Sequence, residues 1–317
     1  MNILVIGGAG YLGSVICTKL RQEGHNVTVI DNFLYQQWHI ASYLASINID
    51  VREYDITEQP YSNSIEKLFH FADIIIPLQA IVGMPACAKN PELTQKINTD
   101  SIKYIVDRIS PSKILLGINT NSSYGITPEG QITDENSPVN PISLYAETKQ
   151  KAEEYILNHK NSIVFRFATV YGLSPRLRLD LLVNQFCFEA SRTKKLSVFE
   201  GNFRRNFIHI NDVANLFSYV VDNPSKFTEK IYNVGNDEDN MTKYDLAQLV
   251  CEHNNAELTI DTSRQDVDKR DYCISNERLY KTGFKPVYTI KNEIPIISRF
   301  LKNNFKNMKN FYFFRNA

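Results

Sequence analysis

Tyr145 and Lys149 lie four residues apart in the segment Tyr145-Ala-Glu-Thr-Lys149. On a helix this spacing places both side chains on one face, one turn from each other. A phenol ordinarily loses its proton only near a pKa of about 10, so an isolated tyrosine is a poor base at neutral pH. A lysine ammonium beside it favours the phenolate and lowers that pKa. The pair therefore predicts a base that removes the proton of a hydroxyl group.

Three glycines, Gly7, Gly10 and Gly13, directly follow the apolar run Ile3–Ile6. This pattern is typical of a tight turn that carries the phosphates of a dinucleotide to the N-terminus of a helix. Asp31 ends a second β-branched run, 18 residues after Gly13. A carboxylate there can accept hydrogen bonds from the adenosine ribose and repels the extra phosphate of NADP. Together with the base, the loop predicts oxidation of an alcohol by NAD. The alternative for the glycine segment is a flexible loop, and the alternative for Asp31 is a turn residue.

Composition excludes several other classes of protein. The 317 residues have a formal net charge of zero, which does not suit a protein that coats nucleic acid or an anionic membrane. Five scattered cysteines without a CxxC pair indicate reduced thiols, and six dispersed histidines show no metal-ligand spacing, so no metal site is expected. No apolar run approaches the roughly 20 residues of a membrane-spanning helix. We therefore expect a cytoplasmic protein without membrane or nucleic-acid partners.

The first half of the chain alternates short apolar runs with helical patterns. Strands are predicted at Ile3–Ile6, Val27–Ile30, Asp73–Ile76, Lys113–Gly117 and Ile163–Thr169, and helices at Tyr11–Glu23, Pro91–Ser110 and Ser143–Asn158. A late strand, Ile231–Val234, precedes a helix that Thr242 caps and that runs to about His253. Continuous apolar runs between helices favour a doubly wound α/β fold with a parallel sheet covered on both faces.

In combination, the glycine loop, the Tyr145–Lys149 pair and Thr120, 25 residues before Tyr145, resemble the extended short-chain dehydrogenase/reductases that act on sugar nucleotides, the NAD-dependent epimerase/dehydratase family. The resemblance implies a Rossmann-type domain over residues 1–172 and 207–234 and a smaller substrate-binding lobe over 173–206 and 235–317. It also implies that Tyr145 is the base, that Lys149 tunes it and binds the nicotinamide ribose, and that Thr120 binds the reacting hydroxyl. A regulator that only binds NAD is the non-enzymatic alternative, and such a protein has no need of these three residues.

The resemblance further implies which residues contact the cofactor, NAD. They are Gly7, Gly10, Tyr11, Leu12, Asp31, Asn32, Asp55, Ile56, Leu78, Gln79, Ala80, Asn98 and Lys149. The chain departs from the family pattern at Pro77 and Gln79, which replace the usual histidine and alanine. For Asn98 the alternative is a polar residue inside a helix.

The residues after Thr120 discriminate between reactions of the family. Sugar-nucleotide 4,6-dehydratases carry an acidic residue within two positions of the threonine, whereas Asn121 and Ser122 stand here. The 3,5-epimerases and fucose synthases carry a cysteine at the place of Ser122. The resemblance therefore leaves chemistry at C4 of the sugar, either a 4-dehydrogenase that stops at the ketone or a 4-epimerase.

The second half of the chain implies the substrate. The substrate-binding residues by resemblance are Thr120, Tyr145, Thr169, Arg178, Arg205 and Arg270, with Arg205 and Arg270 on the diphosphate. Segments 119–125, 173–184, 203–212 and 268–276 resemble GDP-heptose 4-dehydrogenases of bacterial capsular polysaccharide synthesis. The resemblance implies GDP-D-glycero-α-D-manno-heptose as the substrate and 2-oxoglutarate as the oxidant of bound NADH.

The family resemblance also implies a homodimer. The expected interface pairs the helix that carries Tyr145 with the helix near Pro91–Ser110. Ile97, Ile102, Ile105 and Val106 are candidates for that face, and the alternative is that they pack on the sheet of their own chain.

Overall fold

A computed structural model describes residues 1–128, 130–263, 271–305 and 314–316. Its strands are β1 (Asn2–Ile6), β2 (Asn26–Asp31), β3 (Asp50–Glu53), β4 (Ile74–Pro77), β5 (Ile114–Thr120), β6 (Ile132–Thr133), β7 (Ser162–Phe167), β8 (Thr169–Tyr171), β9 (Lys195–Val198), β10 (Arg204–His209), β11 (Ile231–Val234), β12 (Asn236–Thr242), β13 (Glu257–Ile260) and β14 (Cys273–Ile274).

The helices are α1 (Tyr11–Gln22), α2 (Trp38–Ser46), α3 (Asn63–Phe71), α4 (Met84–Lys89), α5 (Pro91–Gln95), α6 (Ser101–Arg108), α7 (Leu144–Leu157), α8 (Leu182–Thr193), α9 (Ile210–Asp222), α10 (Lys243–Asn254), α11 (Glu277–Lys281) and α12 (Ile290–Phe305). A π-helical turn spans Lys96–Asp100, and 3₁₀ turns span Asn121–Tyr124 and Pro224–Lys226. Within the described parts of the chain, no helix combines the length and the apolar character needed to cross a membrane.

The main sheet is parallel throughout the described residues, with the strand order β3-β2-β1-β4-β5-β7-β11. Its central strands are continuous apolar runs because both faces are covered by helices. Strand order reverses between β1 and β4, and such a reversal opens a crevice at the carboxyl ends of the strands. The predicted α/β fold of the Rossmann type is confirmed.

Two hydrophobic cores meet at β8 and β10. The first core packs α1, α2 and α9 against one face of the main sheet, and α3, α6 and α7 cover the other face. The second core lies among α8, α10 and α12. On β10, Phe207 packs into the second core and its neighbour Ile208 into the first. Alternation along a single strand thus joins the two cores beside the crevice.

Several predicted elements are confirmed, and one helix differs. Helix α7 begins where Ser143 Oγ accepts the N–H of Ala146 at 3.3 Å, and Thr242 caps α10 with a capping box. The predicted helix Pro91–Ser110 is instead divided by the π-helical turn. At this turn Thr99 Oγ1 donates to the carbonyl of Thr148 on α7 at 3.1 Å, a tertiary contact that periodicity does not reveal.

The residues suggested for a dimer face are placed differently from that expectation. Ile97, Ile102 and Ile105 are buried in the core of their own chain, and Val106 is partly buried against the same cluster. Packing within the chain therefore explains these positions: Ile102, Ile105 and Val106 pack on the sheet, and Ile97 packs against α4. The homodimer stays a prediction without them.

Candidate active site

One cleft of about 610 Å³ collects most of the predicted site residues. One wall is formed by the carboxyl ends of β1, β2, β4 and β5 together with α7. The other is formed by elements that pack on the second core, which we call the second lobe: α8, β9, β10 and residues 172–181, the last of which we call the strap because they cross from β8 to α8.

The glycine loop forms the floor at one end of the cleft. Gly7 has a φ of +78°, and a Cβ there would lie 2.7 Å from the backbone nitrogen of Gln79, so only glycine fits. A Cβ on Gly13 would lie 2.6 Å from the Cα of Gly8. Gly10 offers no side-chain cap to α1, which leaves the first N–H groups of that helix for a bound anion. Tyr11 and Leu12 line the cleft at this point.

Asp31 fixes the loop from the end of β2. Its carboxylate accepts the N–H of Ala9 at 3.0 Å, the N–H of Phe33 at 2.9 Å and the side-chain amide of Gln37 at 3.2 Å. Burial raises the pKa of this carboxyl group, and the backbone hydrogen bonds oppose that shift. Asp31 lines the cleft, where the carboxylate can accept ribose hydroxyls.

The segments that follow β2 and β3 contribute three further predicted cofactor residues, Asn32, Asp55 and Ile56. Asn32 donates its side-chain amide to Asp55 Oδ2 at 3.0 Å, which joins the segments that follow β2 and β3. Burial raises the pKa of Asp55, but hydrogen bonds from Thr57 and Asn32 outweigh it and lower the pKa overall. Asn32, Asp55 and Ile56 all line the cleft, as expected of an adenosine site.

The turn after β4 contributes Leu78, Gln79 and Ala80 to the cleft. Gln79 donates to Ser101 Oγ at 3.0 Å, while its Oε1 is buried and has no hydrogen-bond partner among the described residues. A buried acceptor of this kind needs a donor that the described residues do not supply. The side chain that replaces the usual alanine thus adds an acceptor to the cleft.

Asn98 does not fit the predicted cofactor contact. The residue is fully buried, and its Oδ1 accepts the N–H of Ile81 at 2.8 Å. Its Nδ2 donates to the carbonyl of Ile81 at 3.0 Å and to Thr148 Oγ1 at 3.3 Å. Asn98 therefore holds the backbone at Ile81 in place from behind the cleft. The expected cofactor contact is replaced by its alternative, a polar residue inside a helical segment.

Thr120 is the last residue of β5 and lies in the middle of the cleft. Its Oγ1 accepts the N–H of Ser122 at 3.2 Å and lies 2.9 Å from Ser122 Oγ. The backbone N–H of Thr120 donates to Asn119 Oδ1 at 2.8 Å. These contacts fix the position of the threonine hydroxyl.

Helix α7 presents Tyr145 and Lys149 to the same cleft. Lys149 is only 4% exposed, and burial lowers its pKa to about 8, while the carboxylate of Glu153 acts in the opposite direction. At neutral pH Lys149 is therefore mostly an ammonium, one helical turn from Tyr145.

Glu153 is a residue that the sequence analysis missed. It lies one further turn along α7, buried and paired with Arg166, whose Nε is 3.0 Å from Glu153 Oε2. The same carboxylate accepts the side-chain amide of Asn119 at 2.7 Å. Glu153 thus connects the lysine, through charge, with the segment that holds Thr120. Its four-residue spacing from Lys149 was the signal that could have identified it.

Thr169 on β8, Arg178 on the strap and Arg205 on β10 also line the cleft. Arg178 is held by both oxygens of Asp180, at 3.0 and 2.8 Å. Arg205 donates Nη1 to the carbonyl of Arg204 at 3.0 Å, and its guanidinium lies 5.9 Å from the ring centre of Tyr272. Arg270 lies outside the described residues.

Other lining residues of the second lobe were not predicted. Arg176 enters the cleft from the strap, and Gln185, Glu189, Ser197, Val198, Phe199 and Lys243 line its second-lobe end. They come from a loop, two helices and a strand that are far apart in the sequence, so no local spacing predicts that they line one cleft. The cluster of Arg176 with Arg178 was the one visible signal.

Comparison with known proteins identifies the family. A model of the NAD dependent epimerase/dehydratase family matches residues 3–235. A putative UDP-glucose 4-epimerase of Methanocaldococcus jannaschii is 26% identical over 316 residues, covering 95% of this chain and 99% of the relative. An uncharacterized UDP-glucose epimerase of Bacillus subtilis is 28% identical over 256 residues, covering 75% and 78%.

Solved structures share the fold. A Tyr-to-Phe variant of a UDP-glucuronic acid 4-epimerase from Bacillus cereus, in complex with UDP-4-deoxy-4-fluoro-glucuronic acid and NAD, superposes with a TM-score of 0.84 at 19% identity, covering 96% of this chain and 100% of that one. The glycine floor, the unpartnered Gln79 oxygen and the ends of β2 and β3 suit the cofactor of that family. The chain belongs to the NAD-dependent epimerase/dehydratase family, and NAD is its cofactor.

Proposed function

We propose that the protein oxidises C4 of a nucleotide sugar reversibly and completes the reaction as a 4-epimerase. The observation that carries the proposal is the convergence of Thr120, Tyr145 and Lys149 in one cleft with the glycine floor. A relative that matches 95% of the chain is named a putative UDP-glucose 4-epimerase, and one that matches 75% of it is named a UDP-glucose epimerase, which supports this outcome over the 4-dehydrogenase.

The roles of the residues follow from their positions. Tyr145, as the phenolate, removes the proton of the C4 hydroxyl, and Lys149 as an ammonium favours that phenolate. Thr120 holds the reacting oxygen in line and stabilises the charge that develops on it. NAD held along the glycine floor supplies the hydride acceptor. In the return step the keto sugar has rotated, so the hydride returns to the opposite face of C4 and Tyr145 gives the proton back to the C4 oxygen.

Elimination chemistry has no support at this site. Asn121 and Ser122 follow Thr120 in a buried 3₁₀ turn, and neither side chain acts as an acid or base at neutral pH. Loss of water from the sugar needs such a group beside the threonine. The proposal therefore ends at C4.

A 4-dehydrogenase is the second candidate, and the bracing of the strap favours it. Ser174 Oγ donates to the carbonyl of Tyr11 at 2.8 Å, and Tyr11 donates its hydroxyl to the carbonyl of Gly172 at 2.8 Å. Asn184 binds both Gly172 and the carbonyl of Arg178. A 4-dehydrogenase needs no rotation of its keto sugar, and a cleft with a fixed wall suits a reaction without such rotation. On this reading GDP-D-glycero-α-D-manno-heptose is oxidised to the ketone, and 2-oxoglutarate is reduced to 2-hydroxyglutarate as the cofactor is regenerated.

The nucleotide base is proposed to be guanine. At the second-lobe end of the cleft, Glu189 on α8 accepts the side-chain amide of Gln185 at 2.8 Å. A carboxylate only accepts hydrogen bonds, and guanine offers it two adjacent donors, N1–H and the N2 amino group. Uracil has a carbonyl on each side of its N3–H, so a carboxylate there meets an acceptor. Phe199 lines the same end and offers an aromatic surface to the base.

Product analysis tests the proposal. The chain is incubated with a panel of GDP- and UDP-sugars that includes the GDP-heptose, with and without 2-oxoglutarate, and the products are examined by mass spectrometry and NMR. A 4-epimerase gives unchanged mass with inverted C4. A product lighter by two hydrogen atoms, formed with an equal amount of 2-hydroxyglutarate, selects the 4-dehydrogenase. Loss of water from the sugar, or no turnover of any sugar nucleotide, contradicts C4 oxidation.

A further inference from the structure

Arg176 of the strap is a buried cation in the cofactor cleft. Its side chain is 4% exposed, and neither Nη1 nor Nη2 has a hydrogen-bond partner among the described residues. Its guanidinium lies 5.1 Å from the ring centre of Tyr35, which lines the same cleft. Burial of a charged group is unfavourable unless it is paired, so this guanidinium requires an anion.

The neighbouring charges do not supply that anion. Asp31 lies close enough to influence Arg176 electrostatically, yet its carboxylate is held by the N–H groups of Ala9 and Phe33 and by Gln37. Asp180 is engaged by both donors of Arg178. Of the two arginines of the strap, Arg178 is thus neutralised by Asp180, and Arg176 has no such partner in the described parts of the chain.

The position of the strap indicates which anion Arg176 meets. Ser174 donates to the carbonyl of Tyr11, and its hydroxyl lies 3.0 Å from that of Ser14, so the strap is attached to the first turn of α1. The same turn presents the uncapped N–H groups after Gly10. Arg176 reaches the cleft from the second lobe, beside Tyr35 and Asp31 at its adenosine end.

We propose that Arg176 binds a phosphoryl oxygen of the adenosine diphosphate half of the cofactor through Nη1 and Nη2. The helix N-terminus then contacts the diphosphate on one side and the guanidinium contacts it on the other. A residue of the substrate lobe thereby completes the cofactor site and joins the two lobes across it. The inference depends on the cofactor of the family and not on which sugar is turned over.

Binding measurements on the full-length chain test this role without any turnover. ADP, adenosine, NAD, GDP and UDP are titrated by calorimetry into the unmodified protein and the Arg176→Met and Arg176→Lys variants. Trp38, the single tryptophan of the chain, stacks on Phe33 at 4.1 Å between ring centres and gives a second signal near the adenosine end. Arg52→Met is the matched control, because Arg52 is exposed on β3 and paired with Asp50.

We expect a loss of affinity only for the ligands that carry phosphate groups. Arg176→Met weakens ADP and NAD by about 10- to 100-fold and leaves adenosine unchanged, since a hydrogen bond to a charged group is lost. Arg176→Lys keeps the charge without the planar fork and loses less, and it repeats the test should the methionine variant fail to fold.

Three outcomes overturn the proposal. Equal weakening of adenosine and ADP means that Arg176 only shapes the wall beside Tyr35. Unchanged ADP affinity removes the contact altogether. If the affinity for GDP or UDP falls and the affinity for ADP does not, Arg176 binds the diphosphate of the substrate and not that of the cofactor.

Discussion

The two walls of the cleft are built in different ways. On the first wall, regular elements place the side chains: Thr120 ends a strand, and Tyr145, Lys149 and Glu153 repeat every four residues along α7. On the second wall, α8 and β10 place Glu189 and Arg205, but the strap that carries Arg176 and Arg178 has no regular structure and is held by contacts between distant segments such as Tyr11 with Gly172. The first wall carries the reacting groups and the second carries groups suited to phosphate and base. The reacting groups therefore depend on spacing within single elements, whereas the groups of the second wall depend on how α8, β10 and the strap pack together.

Substitution on the first wall should have the largest effect. Tyr145→Phe removes the base but keeps the ring, so we expect turnover to fall by about 10²- to 10⁴-fold while NAD affinity is unchanged. Steady-state kinetics and calorimetry with NAD measure the two quantities. The matched control is Tyr155→Phe on the same helix, which should keep full activity. Full activity of Tyr145→Phe would mean that Tyr145 is not the base and that the first wall does not carry the reacting groups.

Glu153→Gln should mainly lower the stability of the fold and should affect ligand binding less. It leaves Arg166 buried without its carboxylate, which costs about 3–5 kcal/mol in the free energy of unfolding. Urea unfolding followed by circular dichroism measures this change. Glu154→Gln, at the exposed neighbouring position, should change stability by less than about 0.5 kcal/mol. Equal effects of the two substitutions would contradict the buried pair.

The pH profile tests how charge is arranged on α7. Lys149 has a pKa of about 8, so it carries its proton below that pH and loses it above. Turnover should therefore fall as the pH rises through about 8. Glu153 raises the pKa of Lys149, so the fall should begin at lower pH in the Glu153→Gln protein, measured where that protein remains folded. An alkaline limb at the same pH in both proteins would mean that Lys149 does not set it.

Sequence alone predicted much of the first wall and little of the second. The glycine loop, Asp31 and the Tyr145–Lys149 pair could be read because each depends on local spacing within one strand-turn-helix unit or one helix. Glu153 has the same spacing but was not recognised, because its partner Arg166 lies on β7 and comes close only in the folded chain. The placement of Asn98 behind the cleft depends on the π-helical turn and on Ile81, which a smooth helical pattern does not reveal. Arg176 and Glu189 required the strap and α8 to be placed first.

Selectivity for the base should respond to the second wall alone. In Glu189→Gln, the side-chain amide can both donate and accept, which suits the alternating carbonyl and N–H groups of uracil better than the two donors of guanine. We expect the ratio of kcat/KM for a GDP-sugar over the matching UDP-sugar to fall by about tenfold, because one polar contact to a base is worth about 1–3 kcal/mol. The kcat for either substrate should stay nearly constant, because Glu189 lines the second-lobe end of the cleft and Tyr145 is untouched. If the ratio is unchanged, Glu189 does not face the base. If kcat falls as Tyr145→Phe makes it fall, the division of labour between the two walls is wrong, since a second-lobe residue would then act on the reacting carbon.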